Sequence, residues 1–161
     1  MSEASQPIEG QVDIRETQAP DMEPIVALLK HAHSESRFAE YGFAQVRLRQ
    51  FLASAFKDTD GTSIRGFLAR VDGEPVGLIS ASLNPMLTAP YMFAATLILY
   101  VKAEYRGTEI PELLLDNISA WARSKDAKEL RISVTFGEEY GADRSNAFFR
   151  KKGFHSAGEN F

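Results

Sequence analysis

The chain of 161 residues has no cysteine. Disulfides, thiol catalysis and thiolate metal sites are therefore excluded. Histidine is scarce, at three residues. His31 and His33 stand two apart, a spacing that does not bring them together on a helix, and no third ligand lies in reach, so no metal is expected. Neither sign of charge dominates: 18 Lys and Arg against 22 Asp and Glu leave a net charge of −4. Bulk electrostatics give no reason to expect a nucleic-acid partner. No apolar run reaches membrane-spanning length, and no signal peptide is visible at the start. The protein is expected in the cytoplasm, without a membrane partner. Asn117-Ile118-Ser119 matches a glycosylation sequon, but it falls inside a helical pattern and reads as chance. No long linker or internal repeat is present.

What is present suits one globular domain. The hydrophobic fraction is 44% and the charged fraction 25%, and the length allows a sizeable core. The expected division is a loose tail over 1–10 and one domain over 11–161. The chain is organised around Thr96 to Arg123. Leu97 to Val101 is a short apolar run that suits a buried strand. A turn with Arg106 and Gly107 follows. Ile110, Leu113, Leu114, Ile118, Trp121 and Ala122 then recur at helical spacing, and Pro111 sits where a first-turn proline is tolerated. A strand, tight turn and helix in that order leave backbone N–H groups free at the helix N-terminus, which favours phosphate.

The remaining elements follow in order. Val12 and Ile14 alternate with Asp13 and Arg15, a short first strand. Met22, Ile25, Val26 and Leu29 mark an amphipathic helix, with Thr17 or Asp21 near its start. His31 to Phe38 continues or breaks it. Phe43, Val46, Phe51, Leu52 and Phe56 suggest a second helix. Asp72-Gly73 between Phe67–Val71 and Val76–Leu83 predicts a hairpin. Asn84 to Pro90 reads as a loop. Leu130, Ile132 and Val134 alternate with Arg131, Ser133 and Thr135 as a fifth strand. Asp143 to Lys152 reads as a last helix stopped by Gly153, with Phe154 packing back. A final short strand ends at Phe161.

The turn Arg106-Gly107-Thr108-Glu109-Ile110-Pro111 resembles the acyl-CoA-binding motif of the GNAT family of N-acetyltransferases. The arginine and the Tyr-Arg-Gly lead-in are kept, while Glu109 and Pro111 replace two glycines. The order β-α-α-β-β-β-α-β-α-β is similar to that of the family. Arg144, Asn146 and the Phe148-Phe149 pair before Gly153-Phe154 resemble its closing motif. Glu35-Ser36-Arg37-Phe38 with Tyr100-Val101 and Tyr105-Arg106-Gly107 is similar to small phage and bacterial proteins of the family. The resemblance implies an α/β (α+β) fold: a mixed central sheet of about six to seven strands flanked by about four helices.

It also implies acetyl transfer from acetyl-CoA to a primary amine of a small molecule or peptide. Leu99, Tyr100, Val101, the turn Arg106, Gly107, Thr108, Glu109 and Ile110, and Arg144, Asn146 and Phe149 are the expected cofactor contacts. Glu35 and Arg37 are expected to meet the acceptor. A homodimer is compatible with the resemblance. The chemistry needs the thioester held, its carbonyl polarised and protons moved. The family often places a carboxylate on the fourth strand, where this chain has Leu97 and Ile98. It often places a tyrosine in the last helix, where this chain has Phe149. Tyr140 and Tyr105 are the leading substitutes. Tyr100, Glu35, Glu138 and a water chain stay open. The alternative is a GNAT-fold CoA-binding or protein-interaction module with impaired catalysis.

Overall fold

The computed structural model describes residues 5–133 and 142–158. The strands are β1 (Val12–Glu16), β2 (Ile64–Val71), β3 (Glu74–Pro85), β4 (Met92–Val101) and β5 (Ala127–Arg131). The helices are α1 (Met22–Ser34), α2 (Gln45–Ala55), α3 (Ile110–Ser124) and α4 (Ala142–Lys151). The strands form one sheet in the order β1-β2-β3-β4-β5. Neighbours pair antiparallel, except β4 and β5, which run parallel through the α3 crossover. A mixed α/β fold is thus observed, with four helices around the sheet.

The hairpin of β2 and β3 forms at Asp72-Gly73, where both residues have positive φ, 49° and 84°. Two positive φ values in succession match the right-handed twist of the flanking strands. Helix α3 lays Ile110, Leu114, Leu115, Ile118, Trp121 and Ala122 on one face of the sheet. Gly77 lets it approach: a Cβ there would stand 3.0 Å from a Leu114 methyl group. Trp121 Nε1 donates to the Gly61 carbonyl at 3.1 Å. On the other face, Ile25, Leu28, Leu29 and Ala32 of α1 pack with Leu52, Leu68, Leu78 and Tyr100. Helix α1 continues through the His31–His33 region to Ser34.

Four expectations need correction. The sheet has five strands among the described residues, not six to seven. Residues 154–158 form no strand, because Gly153 (φ 88°) turns the chain back. Phe154 N then donates to the Phe149 carbonyl at 2.9 Å, closing the end of α4. The expected strand end at 159–161 lies outside the described residues. The fifth strand begins at Ala127, directly after Asp126 (φ 54°), earlier than the alternation suggests. Val134 and Thr135 of that alternation lie outside the described residues. The expected loop at Asn84 starts later, because Asn84 and Pro85 still pair with Phe93 and Met92. Within the leading segment, Gln6 N donates to the Gly107 carbonyl at 2.9 Å, and Ile8 packs on the α3-side core.

Candidate active site

Strand β4 is where the sheet changes character. Its pairing with β5 ends at Ala95 opposite Arg131. Ser133 N then donates to Thr96 Oγ1 at 3.0 Å. Beyond that point, among the described residues, no strand pairs with the β5-facing edge of Leu97–Val101. The other edge stays paired to β3 but carries a bulge: Ser80 faces Ile98 and Ala81 faces Thr96, leaving Leu97 as the extra residue. A bulge re-aims the local backbone and side chains, and Leu97 is 48% exposed as a result. Leu99 and Val101 point to the α3 side, Ile98 and Tyr100 to the α1 side.

The turn after β4 uses much of its own hydrogen-bonding capacity. Arg106 N donates to the Ala103 carbonyl, and Thr108 N to the Tyr105 carbonyl at 3.2 Å. Thr108 Oγ1 donates to that same carbonyl at 2.6 Å and accepts from Ile110 N at 3.3 Å. Pro111 has no N–H to offer. Of the N–H groups from Arg106 to Ile110, that of Gly107 finds no acceptor among the described residues, while that of Glu109 faces the Gln6 carbonyl across the bridge between Gln6 and Thr108. A Cβ at Gly107 would meet nothing within 4 Å, so the space above the turn is open. Glu109 is exposed and makes no capping bond. An open turn with an unspent Gly107 N–H at a helix start fits a pyrophosphate, so these residues fit a CoA-type cofactor.

The guanidinium of Arg106 turns the other way. Its Nε donates to the Val101 carbonyl at 2.8 Å and its Nη2 to Glu35 Oε2 at 2.9 Å. Tyr100 donates its hydroxyl to the same carboxylate oxygen at 2.8 Å. His31 lies 3.5 Å from Oε1. Glu35 thus ties the end of α1 to β4 and to the turn. Burial, reinforced by Glu35, pushes the Tyr100 phenol well above its ordinary range. A phenol so shifted is a poor acid near neutrality.

Other expected residues are more dispersed. Tyr105 packs its half-buried ring on the α3-side core. Arg37 lies on the Phe38 ring at 4.8 Å. Arg144 and Asn146 are exposed on α4. Phe149 is half-buried, edge-on to Phe148 (5.2 Å) and Phe154 (6.0 Å). Tyr140 and Glu138 lie outside the described residues. His33 Nε2 donates to the Tyr41 carbonyl at 2.7 Å, away from His31.

A cleft of about 540 Å³ opens on the α1/α2 side. Ile64, Leu78, Ser80, Leu97 and Ile98 line its sheet side, Ile25 and Leu29 come from α1, and Leu48, Phe51, Leu52 and Ala55 from α2. Glu16, Thr17, Asp58, Thr59 and Arg65 complete it. Phe51 and Ser80 had no sequence signal as site residues, since nothing local marks a wall formed by elements far apart in the chain. No described helix is long and apolar enough to cross a membrane. Among the described residues no cluster of His, Asp and Glu could hold a metal ion.

Solved structures share this architecture. An acetyltransferase from Trypanosoma brucei superposes with a TM-score of 0.70 at 18% identity, covering 94% of this chain and 97% of the other. The ribosomal-protein-alanine N-acetyltransferase from Brucella melitensis biovar Abortus gives 0.67 at 16% identity, covering 94% and 96%. The enzyme AAC(6')-Iy, in complex with the bisubstrate analog CoA-S-monomethyl-acetylneamine, gives 0.73 at 16% identity, covering 94% and 96%. No curated protein matches the sequence. The sequence model of the acetyltransferase (GNAT) family matches residues 24–154, and the chain belongs to that family.

Proposed function

We propose that the protein is an N-acetyltransferase that moves an acetyl group from acetyl-CoA to a primary amine. The observation that carries this reading is the bulge of β4 at Leu97, between the turn and the cleft. One edge of Leu97–Val101 is unpaired toward β5 among the described residues, the open turn follows it, and the cleft reaches Leu97 and Ile98. Cofactor and acceptor can thus meet at the same few residues. Bound acetyl-CoA supplies the activated acyl carbon: a C–N bond forms, the C–S bond breaks, one proton leaves the nitrogen and one reaches the sulfur.

The main-chain edge of Leu97–Val101 offers donors for a developing oxyanion, held in place by the pairing with β3. The Gly107 N–H at the open turn would hold the pyrophosphate. Glu35 positions both through Tyr100 and Arg106. The Phe149 ring has no proton to give. Either the departing ammonium supplies it or Tyr140 does.

The competing reading is a CoA-binding module with weak or no turnover. It is favoured by Phe149, which packs between Phe148 and Phe154 in the place of an acid. The test is a thermal shift with acetyl-CoA, then thiol release with a panel of primary amines. A raised Tm and amine-dependent thiol release are expected. No shift at millimolar acetyl-CoA would refute the cofactor assignment. Phe149→Tyr is expected to leave the shift unchanged and to speed turnover, within the range of about a hundredfold to ten-thousandfold of a positioned acid. Binding without turnover in either form favours the module.

A further inference from the structure

We infer that the acceptor is a primary amine on an apolar body, an alkyl or arylalkyl monoamine, seated in the α1/α2 cleft. The inference rests on the acetyl-transfer reading and names the substrate class of that same site. The cleft holds about 540 Å³, a size that suits a small organic ligand. Its walls are mainly hydrocarbon: Leu29, Leu48 and Phe51 face Leu78, Leu97 and Ile98. Phe51 is 39% exposed and Leu97 48%, so two large apolar groups stand wet at this cleft. A ligand with an apolar body covers them.

The charges in the lining are already spoken for. Asp58 accepts from Thr62 N and Thr62 Oγ1 on one oxygen, and from Ser63 N and Ile64 N on the other. Those bonds, that of Ile64 first, hold its carboxyl far below the usual range. Glu16 is bound by Arg65 Nη1 at 2.7 Å. A polycation entering this cleft would find neither carboxylate available without breaking such a set, and its extra ammonium groups would face hydrocarbon. A monoamine places its single nitrogen toward Leu97 and Ile98, where β4 is bulged, and leaves its body on the walls. The AAC(6')-Iy complex carries an aminoglycoside-derived acceptor. The chemistry of this cleft argues for a different acceptor here.

The test is calorimetric titration of the full chain with 2-phenylethylamine, with tobramycin, and with a short peptide bearing an N-terminal alanine, each with and without CoA. The amine is expected to bind at least tenfold tighter than either alternative, with a negative heat-capacity change. Ala55→Phe, which fills the cleft from α2, is expected to weaken the amine at least tenfold while keeping the acetyl-CoA thermal shift. If that variant does not fold, Phe51→Ser, at a half-exposed position, is expected to weaken it several-fold. Tighter or equal binding of tobramycin or the peptide would overturn the inference. So would amine binding unchanged in the folded variants. Intact acetyl-CoA binding and thiol release with no amine bound would overturn the inference alone. An absent acetyl-CoA shift with the amine still bound would overturn the transfer reading and support the assignment of the cleft.

Discussion

The two faces of the sheet both bury hydrocarbon, but only one adds charged pins. On one, α3 presses hydrocarbon onto β2, β3 and β4, with Leu114 and Ile118 wholly buried. On the other, α1 buries Ile25, Leu28, Leu29 and Ala32 and is pinned besides at both ends by carboxylates. Asp21, just before the helix, forms a buried ion pair with Arg70. Glu35, just after it, holds Tyr100 and Arg106. Helix α2 adds little: Leu52 is its one buried residue, and Arg49 reaches Glu23 of α1 across the surface. The dense face fixes the turn at the start of α3. The pinned face leaves room between its helices, and that room is the cleft. Packing density is spent where geometry must be fixed and withheld where a ligand must enter.

The sharpest way to break this comparison is at its buried charge. Asp21→Ala leaves Arg70 without its partner in a buried setting, where Nη1 already has no hydrogen-bond partner among the described residues. The expected loss is about 3–5 kcal/mol in urea unfolding, as for other halved buried pairs. A loss under about 1 kcal/mol would mean that the ion pair adds little to the hydrocarbon that holds the α1 face. On the dense face, Leu114→Ala is expected to cost about 2–5 kcal/mol through lost contacts and a cavity. Val46→Ser on α2, where the side chain is 71% exposed, is expected to stay within about 0.5 kcal/mol. Equal losses in that second pair would erase the contrast between α3 and α2.

Glu35→Ala and Arg106→Ala test the pin nearest the turn. Each is expected to cost about 1–3 kcal/mol as a charged hydrogen bond is lost. The double variant should cost less than the sum, because the two residues share one interaction. Arg106→Ala is also expected to shrink the acetyl-CoA thermal shift, while the surface change Arg15→Ala leaves it alone. Strict additivity would mean that the Glu35–Arg106 bond carries no stability. The smallest effect is alkaline. Tyr100 has its pKa raised in the folded state by burial and by Glu35, so the folded chain keeps a proton that the unfolded chain loses above about pH 10. Its contribution is full below that value and falls as pH rises through the folded value. Tyr100→Phe is expected to flatten this limb in a Tm-against-pH series. An identical limb in the variant would remove Tyr100 as its cause.

The sequence made the local elements legible and hid the distant ones. The hairpin could be read because Asp72-Gly73 carries its own backbone preference. Helix α3 could be read because Ile110, Leu114, Ile118 and Trp121 repeat a period. The end of α4 could be read from Gly153 and Phe154. The turn could be read as a candidate phosphate site, but not that Thr108 consumes the Ile110 N–H, since that depends on a rotamer. Nothing in the sequence shows that the Arg106 side chain, expected among the cofactor contacts, reaches Glu35, 71 residues away. Glu35 and Tyr100 stood out as separate motifs in the sequence, and only the fold shows them sharing one oxygen. The bulge at Leu97 has no glycine or proline to mark it. The cleft belongs to no segment, because elements far apart in the chain make it.

The separation between Glu35 and its partners also bears on the order in which the molecule assembles. The β2–β3 hairpin closes across two residues, whereas the bonds from Glu35 to Tyr100 and Arg106 span 65 and 71. Closing the longer loops costs more chain entropy and gains little until β4 already lies beside β3. The joint that positions the turn is therefore expected to form late in folding. A chain emerging from synthesis can hold a native-like hairpin long before it holds a working turn.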